Sequence, residues 1–306
     1  MSWRLLVLSL LLVVPAGGGA PAGEGVVVAA AGDVACDPEH RPRAGECADA
    51  HTAALLADAD LVLMLGDGQY PDGSLERYRQ GYGRTWGRYR DRTRPVPGNH
   101  EYRTPGARGY FTYFEQLAGP PGLGYHAFDA GTWRLVALNS NCWAVGGCGP
   151  GSPQYRWLAE QLALGRGRCV LAFWHHPLFT VGRYESYEPV RPWWQELYRA
   201  GAAVVLSAHD HNYQRFPPLD PEGRQTPRGI RQFVVGTGGR NLYRARRQSP
   251  VEAEVVRDDH FGVLQLRLLP GRYEWAFLAT SGQALDRGTS PCPLPGTDPR
   301  YRRGGG

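Results

Sequence analysis

The 306-residue sequence predicts an α/β domain in which parallel βαβ units give way to antiparallel strands near the C-terminus. Three observations carry this reading. Apolar runs of strand length recur along the first two-thirds of the chain and stop abruptly at Gly-Asp or at His. Stretches with helical spacing separate them, and the last two apolar runs meet at Pro270-Gly271, a turn pair. No internal repeat or long low-complexity linker divides the chain, so one domain from about residue 24 to 290 is expected, long enough to bury a substantial core.

In order, residues 25–32 (GVVVAAAG) read as a buried strand ending at Asp33, residues 48–59 as a helix, and residues 60–65 (DLVLML) as a second strand ending at Gly66-Asp67. Leu75, Tyr78, Tyr82, Trp86 and Tyr89 lie on one helical face, although Gly81, Gly83 and Gly87 argue against a continuous helix. A short strand over 93–96 follows, then two strands within 125–139 turned at residues 129–131. Residues 153–164 read as a helix with Ser152 as N-cap and Pro153 in the first turn. Strand 169–174 runs into His175-His176, and a helix at about 190–200 leads to strand 202–206 and then Ala208-His209-Asp210-His211. After a polar, Pro-rich loop, residues 233–235, 262–269 and 272–278 read as closing strands, and 291–306 as a poorly ordered tail.

The first 22 residues have the form of a signal peptide: Arg4, an apolar stretch from Leu5 to Val14, and the small-residue site Ala20-Pro21-Ala22. That stretch falls short of the ~20 apolar residues a membrane span requires, and no later segment sustains them, so a secreted or extracytoplasmic protein without stable membrane insertion is expected, the alternative being an uncleaved N-terminal anchor. Six cysteines suit such a compartment. Cys36 and Cys47 bracket one loop and Cys142 and Cys148 another, which leaves Cys169 with Cys292 by elimination among fifteen possible connectivities. No C-x₂-C spacing suggests structural zinc. All 34 cationic residues are Arg, and the net charge of +5 is dispersed, which gives no reason to expect nucleic acid.

Four apolar strands thus end in metal-ligating groups: Asp33, Asp67, His175, and His209 with His211. The loop Gly98-Asn99-His100-Glu101 adds an amide and an imidazole. In open α/β sheets, ligands gather beyond the carboxyl ends of strands, so these groups can converge though far apart in sequence. Five of the nine histidines fall in these segments. One Gly-Asp alone is ordinarily a turn; the conjunction is what points to metal.

The blocks GDVAC, GDGQY, GNHE, WHHP and AHDH, spread over residues 32–213, resemble in order the pattern of the calcineurin-like metallophosphoesterases: GD, GD, GNH[DE], a strand-terminal His, and GH-x-H. Tyr70, three residues after Asp67, narrows the resemblance to the purple acid phosphatase type, where a tyrosine binds ferric iron. The resemblance implies a four-layer α/β/β/α sandwich and two metal ions, Fe(III) at the Tyr70 site and Fe, Zn or Mn(II) at the second. Metal 1 would be held by Asp33, Asp67, Tyr70 and His211, and metal 2 by Asp67, Asn99, His175 and His209, with Asp67 bridging. His100 and His209 are carried over as catalytic residues, His100 as general acid or hydrogen-bond donor to the leaving group. Hydrolysis of phosphate monoesters is the implied activity, on a phosphorylated small molecule. The alternatives are a phosphodiesterase or nucleotide pyrophosphatase on the same site, and a non-catalytic phosphate-binding protein. Ala208 departs from the family's usual Gly, and His176 occupies a variable position without an assigned role.

The arginines interleaved with aromatics over residues 77–94 could form a nucleic-acid surface, but an amphipathic segment with snorkelling arginines is the preferred reading. The run 236–239 (GTGG) reads as a turn after a strand. Substrate choice is expected in loops 101–124 and 178–190.

Overall fold

The computed structural model describes residues 25–40, 42–43, 45–246 and 251–292. The expected signal peptide and residues 293–306 of the expected tail lie outside these. Two sheets pack face to face. The first contains β1 (Val26–Ala31), β2 (Leu61–Leu65), β3 (Thr93–Val96), and the C-terminal strands Gly262–Leu269, Arg272–Ala279 and Ala284–Pro291. The second contains β4 (His126–Ala130), β5 (Trp133–Ala137), β6 (Cys169–Phe173), β7 (Val204–Ser207), β8 (Tyr213–Leu219), β9 (Ile230–Val235) and β10 (Val255–Arg257), so the C-terminal three are β11, β12 and β13. Strand orders are β13-β12-β11-β1-β2-β3 and β10-β8-β9-β7-β6-β5-β4. The β1–β2–β3 and β5–β6–β7–β9 ladders are parallel; β11 joins β1 antiparallel and opens the β11–β12–β13 meander.

The alternation of strand side chains makes four layers of this. On β6, Leu171 and Phe173 enter the core shared with Val28, Ala30, Leu264 and Leu266 of the first sheet. Val170 and Ala172 face the other way, against Leu158 and Leu162 of α4 (Pro153–Leu164) and Trp193, Trp194 and Leu197 of α5 (Arg191–Ala200). Strands apolar on both faces are what a sandwich covered by helices requires, and the expected α/β/β/α architecture is the one found. Ala53 of α1 (Asp49–Ala54), Tyr78 of α2 (Leu75–Gln80) and Tyr110 and Phe114 of α3 (Arg108–Phe114) are buried in one cluster with Val62, Met64 and Val96 of the first sheet.

The elements differ from expectation where local rules compete. The helix expected over 48–59 is only the six residues of α1. The aromatic face after Leu75 is real, with Tyr78, Tyr82 and Trp86 buried, but the backbone breaks at Gly81 into 3₁₀ turns over 82–84 and 86–92. The arginines of this segment reach acids and carbonyls of their own chain: Arg77 pairs with Asp72 and Glu39, and Arg92 donates to the Leu56 and Ala57 carbonyls. The Pro-rich stretch read as loop is β8. Its ladder shifts register between Arg215 and Pro218, and β10 pairs only with residues 213–215, so Pro217 and Pro218 fall where that side of the strand is unpaired. The polar strand β13 carried no apolar period and runs to Pro291, a residue read as tail; α3 lies inside a segment read as loop. Ser152 caps α4 by accepting from Tyr155 N at 3.3 Å. All three disulfides pair as expected, Cys36–Cys47, Cys142–Cys148 and Cys169–Cys292. Among the described residues no helix is long and apolar enough to cross a membrane.

On β4, the His126 ring packs on Phe128 and Phe173, with neither ring nitrogen hydrogen-bonded. Burial, aided by Arg94, pulls its imidazole from 6.5 down to about 4. Between those values the unfolded chain binds the extra proton, so stability is full above pH 6.5 and falls with pH through this window, by about 3 kcal/mol at pH 4. His126→Phe removes the penalty, and its melting temperature should gain on the wild type steadily from pH 7 to pH 4. A constant difference would mean that the folded protein accepts the proton.

Candidate active site

Each parallel strand that meets the site delivers its polar residue at its carboxyl end: β1 to Asp33, β2 to Asp67, β3 to Asn99 and His100, β6 to His175, and β7 to His209 and His211. The groups therefore lie across the ends of both sheets. Asp33, Asp67 and His209 sit in the left-handed region, at φ 57°, 49° and 70°. Such residues cost ~1 kcal/mol or more each and persist where the surroundings over-determine them. Here the exits hold one another: Asp33 N donates to Gly66 O at 3.1 Å, Val34 N to Asp67 O at 3.0 Å, and His209 N to Asp33 Oδ2 at 2.8 Å. Two glycines of the motifs have a steric reason. A Cβ on Gly98 would stand 2.2 Å from Asp67 Oδ1, and one on Gly32 would stand 2.6 Å from the Cβ of Ala208. Ala208 is accommodated because Gly32 leaves that space.

The side chains converge as two overlapping clusters. Tyr70 Oη lies 2.7 Å from Asp33 Oδ1, 3.0 Å from Asp67 Oδ2 and 3.0 Å from His211 Nε2. His175 Nε2 lies 3.4 Å from the same Asp67 Oδ2, 3.2 Å from Asn99 Oδ1 and 3.2 Å from His209 Nδ1. The structure thus brings together all seven residues singled out as ligands, with Asp67 common to both clusters. His100 stands beside them: its backbone N–H donates to Asp67 Oδ1 at 2.8 Å, and its ring Nδ1 lies 2.6 Å from Pro71 O.

Several functional neighbours were not assigned from sequence. Glu101 is fully buried; its Oε2 accepts from Asp67 N and Gly98 N, and its Oε1 from Gly68 N and the Tyr78 hydroxyl. The acid at the end of GNHE was its signal. His176 closes a second group of nitrogens with His175 and His209, while its Nδ1 is tied to Ser140 Oγ at 2.8 Å. Tyr184 stacks on His209 at 4.2 Å and Tyr243 on His211 at 4.0 Å, contacts between distant loops that left no local pattern. Asp210 accepts from Thr180 Oγ1 and Tyr184 N, which fastens the Tyr184 loop to the AHDH turn.

The electrostatics follow from burial of unlike groups together. Burial opposes ionisation of Asp67, yet His175 and His100 hold its carboxyl well below the usual range. Burial likewise opposes the His175 cation, but Asp67 and Asp33 override it and raise His175 to about 9. Desolvation of the half-buried His209 ring, with His175 beside it, lowers His209 to about 3. Burial and the two carboxylates push the Tyr70 phenol well above 10, so its oxygen becomes an anion only against a strong cation. Burial and Asp67 lift Glu101 to about 7. As a donor set this fits metal: hard oxygens from Asp33, Asp67 and Tyr70 with one imidazole at one end, two imidazoles and an amide at the other. Among the described residues, Asp33, Asp67 and His175 present ligand atoms within 4.8 Å of one another, as do His175, His176 and His209.

The calcineurin-like phosphoesterase family matches residues 27–213, and the chain belongs to that family. More particularly, it is similar to purple acid phosphatase 21 of Arabidopsis thaliana, 28% identical over a 245-residue alignment that covers 72% of this chain and 54% of that protein. The chain spans about half the length of this curated relative. A purple acid phosphatase from yellow lupin (Lupinus luteus) seeds shares the fold with a TM-score of 0.72 at 18% identity, covering 88% of this chain and 54% of that one. So does GAP50, the anchor in the inner membrane complex of Plasmodium, with a TM-score of 0.62 at 13% identity over 88% of this chain and 89% of that one.

Proposed function

We propose that this protein hydrolyses phosphate esters, monoesters in preference to diesters, at a binuclear metal centre outside the cytoplasm. The observation that carries the reading is the meeting of the Tyr70 oxygen with Asp33, Asp67 and His211 inside 3.2 Å, because the phenol is what separates this donor set from the broad family pattern. Asp33, Asp67, Tyr70 and His211 would hold a ferric ion, and Asp67, Asn99, His175 and His209 a divalent Fe, Zn or Mn ion. Bound there, the pair supplies Lewis acidity and an activated water.

The chain's own residues do the rest. His175 Nδ1 is fixed by Leu65 O at 2.9 Å and His211 Nδ1 by Asn241 O at 2.7 Å, which turns each Nε2 into the centre. The same logic applies to His100: Nδ1–H donates a hydrogen bond to Pro71 O, so Nε2 faces the site and donates to the leaving oxygen when the ring is cationic. His209, half-buried where Tyr184 stacks on it, stands at the open edge of the cluster, where an ester oxygen would arrive. The disulfides and the N-terminal apolar segment support the extracytoplasmic assignment.

The test combines turnover of 4-nitrophenyl phosphate and its bis-aryl diester with metal analysis and a visible spectrum. Two metals per chain, faster use of the monoester, and an absorbance lost in Tyr70→Phe are expected. Faster diester turnover would replace the monoesterase reading with its phosphodiesterase rival. A colourless, iron-free, active enzyme would remove the ferric assignment. A fully metallated protein that turns over neither ester would be a phosphate-binding protein.

A further inference from the structure

Three large apolar side chains are exposed among the described residues, and one of them, Trp143 at 73%, stands on a loop built against the site. The Cys142–Cys148 disulfide closes that loop at its base. On one side Asn141 Nδ2 donates to Pro97 O and Gly98 O, both at 3.2 Å, and Asn139 Nδ2 to the Tyr102 hydroxyl at 2.8 Å. On the other, Ser140 Oγ accepts from His176 N at 3.1 Å. The loop therefore grips the segment that carries Asn99 and His100 together with the one that carries His175. Trp143 itself meets Tyr102 edge-on at 5.1 Å, two residues past His100.

We propose that Trp143 is a specificity-determining residue: a platform on which the planar leaving group of the ester, an aryl ring or a nucleobase, stacks. The inference rests on the hydrolase reading above and names its substrate class. In that reading the phosphoryl group sits among the ligands and His100 faces the leaving oxygen, so the remainder of the ester extends past His100 toward Tyr102 and Trp143. An indole left in water is a poor use of apolar surface for the fold, since its removal from water is favourable. As a stacking face it is well prepared, because it has few rotatable bonds and the stapled loop loses little freedom when a ring settles on it. Stacking on an aromatic side chain accepts any planar ring, which predicts breadth among aryl and nucleoside monophosphates rather than selection of one.

The test compares wild type, Trp143→Ala and Trp143→Phe on 4-nitrophenyl phosphate, adenosine 5′-monophosphate and glycerol 1-phosphate. For Trp143→Ala, KM for the first two esters should rise about tenfold with kcat changed by less than about twofold, and glycerol phosphate kinetics should not move. Trp143→Phe should restore most of the loss. Calorimetry gives a readout free of turnover: Trp143→Ala should weaken adenosine 5′-monophosphate binding and leave inorganic phosphate binding unchanged. Equal effects on all three esters, or on both calorimetric ligands, or no effect at all, would overturn the assignment. Failure of the wild type on every ester would instead sink the hydrolase reading itself.

Discussion

Asp67→Asn should lower turnover by at least about 10³-fold and strip metal from the protein. Asp67 Oδ2 lies within reach of both clusters, 3.0 Å from Tyr70 Oη and 3.4 Å from His175 Nε2, while Oδ1 accepts the backbone N–H of His100. Replacing the carboxylate by an amide of the same shape removes the charge that two cations would share. The backbone is not at risk, because the residue sits at φ 49°, a region that Asn tolerates at least as well as Asp. Kinetics on an aryl phosphate, with metal analysis of the same sample, checks both halves. Near-normal turnover would overturn the binuclear scheme.

Glu101→Gln should cost about 3 kcal/mol of stability and, in addition, about tenfold or more in kcat. The two oxygens of Glu101 receive four donors in a site with no access to water: three backbone N–H groups from the Asp67 and Gly98 turns, at 2.6 to 2.9 Å, and the Tyr78 hydroxyl at 2.7 Å. Gln keeps one acceptor oxygen and turns an amino group toward the remaining donors, so at least one buried N–H loses its partner. Because Asp67 N and Gly98 N share Oε2, the lost contact loosens the turn that aims the bridging carboxylate and the loop before Asn99. Urea denaturation reads the first effect, and kcat with KM held nearly constant reads the second. A variant with native stability and kcat would show that the β2 and β3 ladders hold these turns unaided.

Glu101 also shows where reading a sequence stops. Its place in GNHE is visible, but nothing local says that its carboxylate faces inward to hold the turn of another strand 34 residues away. The ligands are different, because their pattern is set by the chain locally. A buried parallel strand is a short apolar run, and the residue that leaves it must be polar, so Asp33, Asp67, His175 and His209 announce themselves in order. The βαβ rhythm, the Ser152 cap and the Pro270-Gly271 turn were legible for the same reason: each depends on neighbours within a few residues. Strands β8 and β13 were not, since Pro217 and Pro218 or an alternation of polar residues are tolerated only at a particular sheet edge, and an edge exists only once the sheet has formed.

By itself, then, the sequence determined the α/β class, the two short disulfide loops and the strand-end acids and histidines, all matters of local spacing, while the full set of seven candidate ligands came with the family resemblance. Tertiary structure alone decided that β11 joins β1 and brings the C-terminal meander into the first sheet, that Tyr184 and Tyr243 stack on His209 and His211, and that the Trp143 loop grips the His100 segment. These contacts join residues far apart in the chain, and what selects them is burial and hydrogen-bond satisfaction over the whole domain, which no window of the sequence contains.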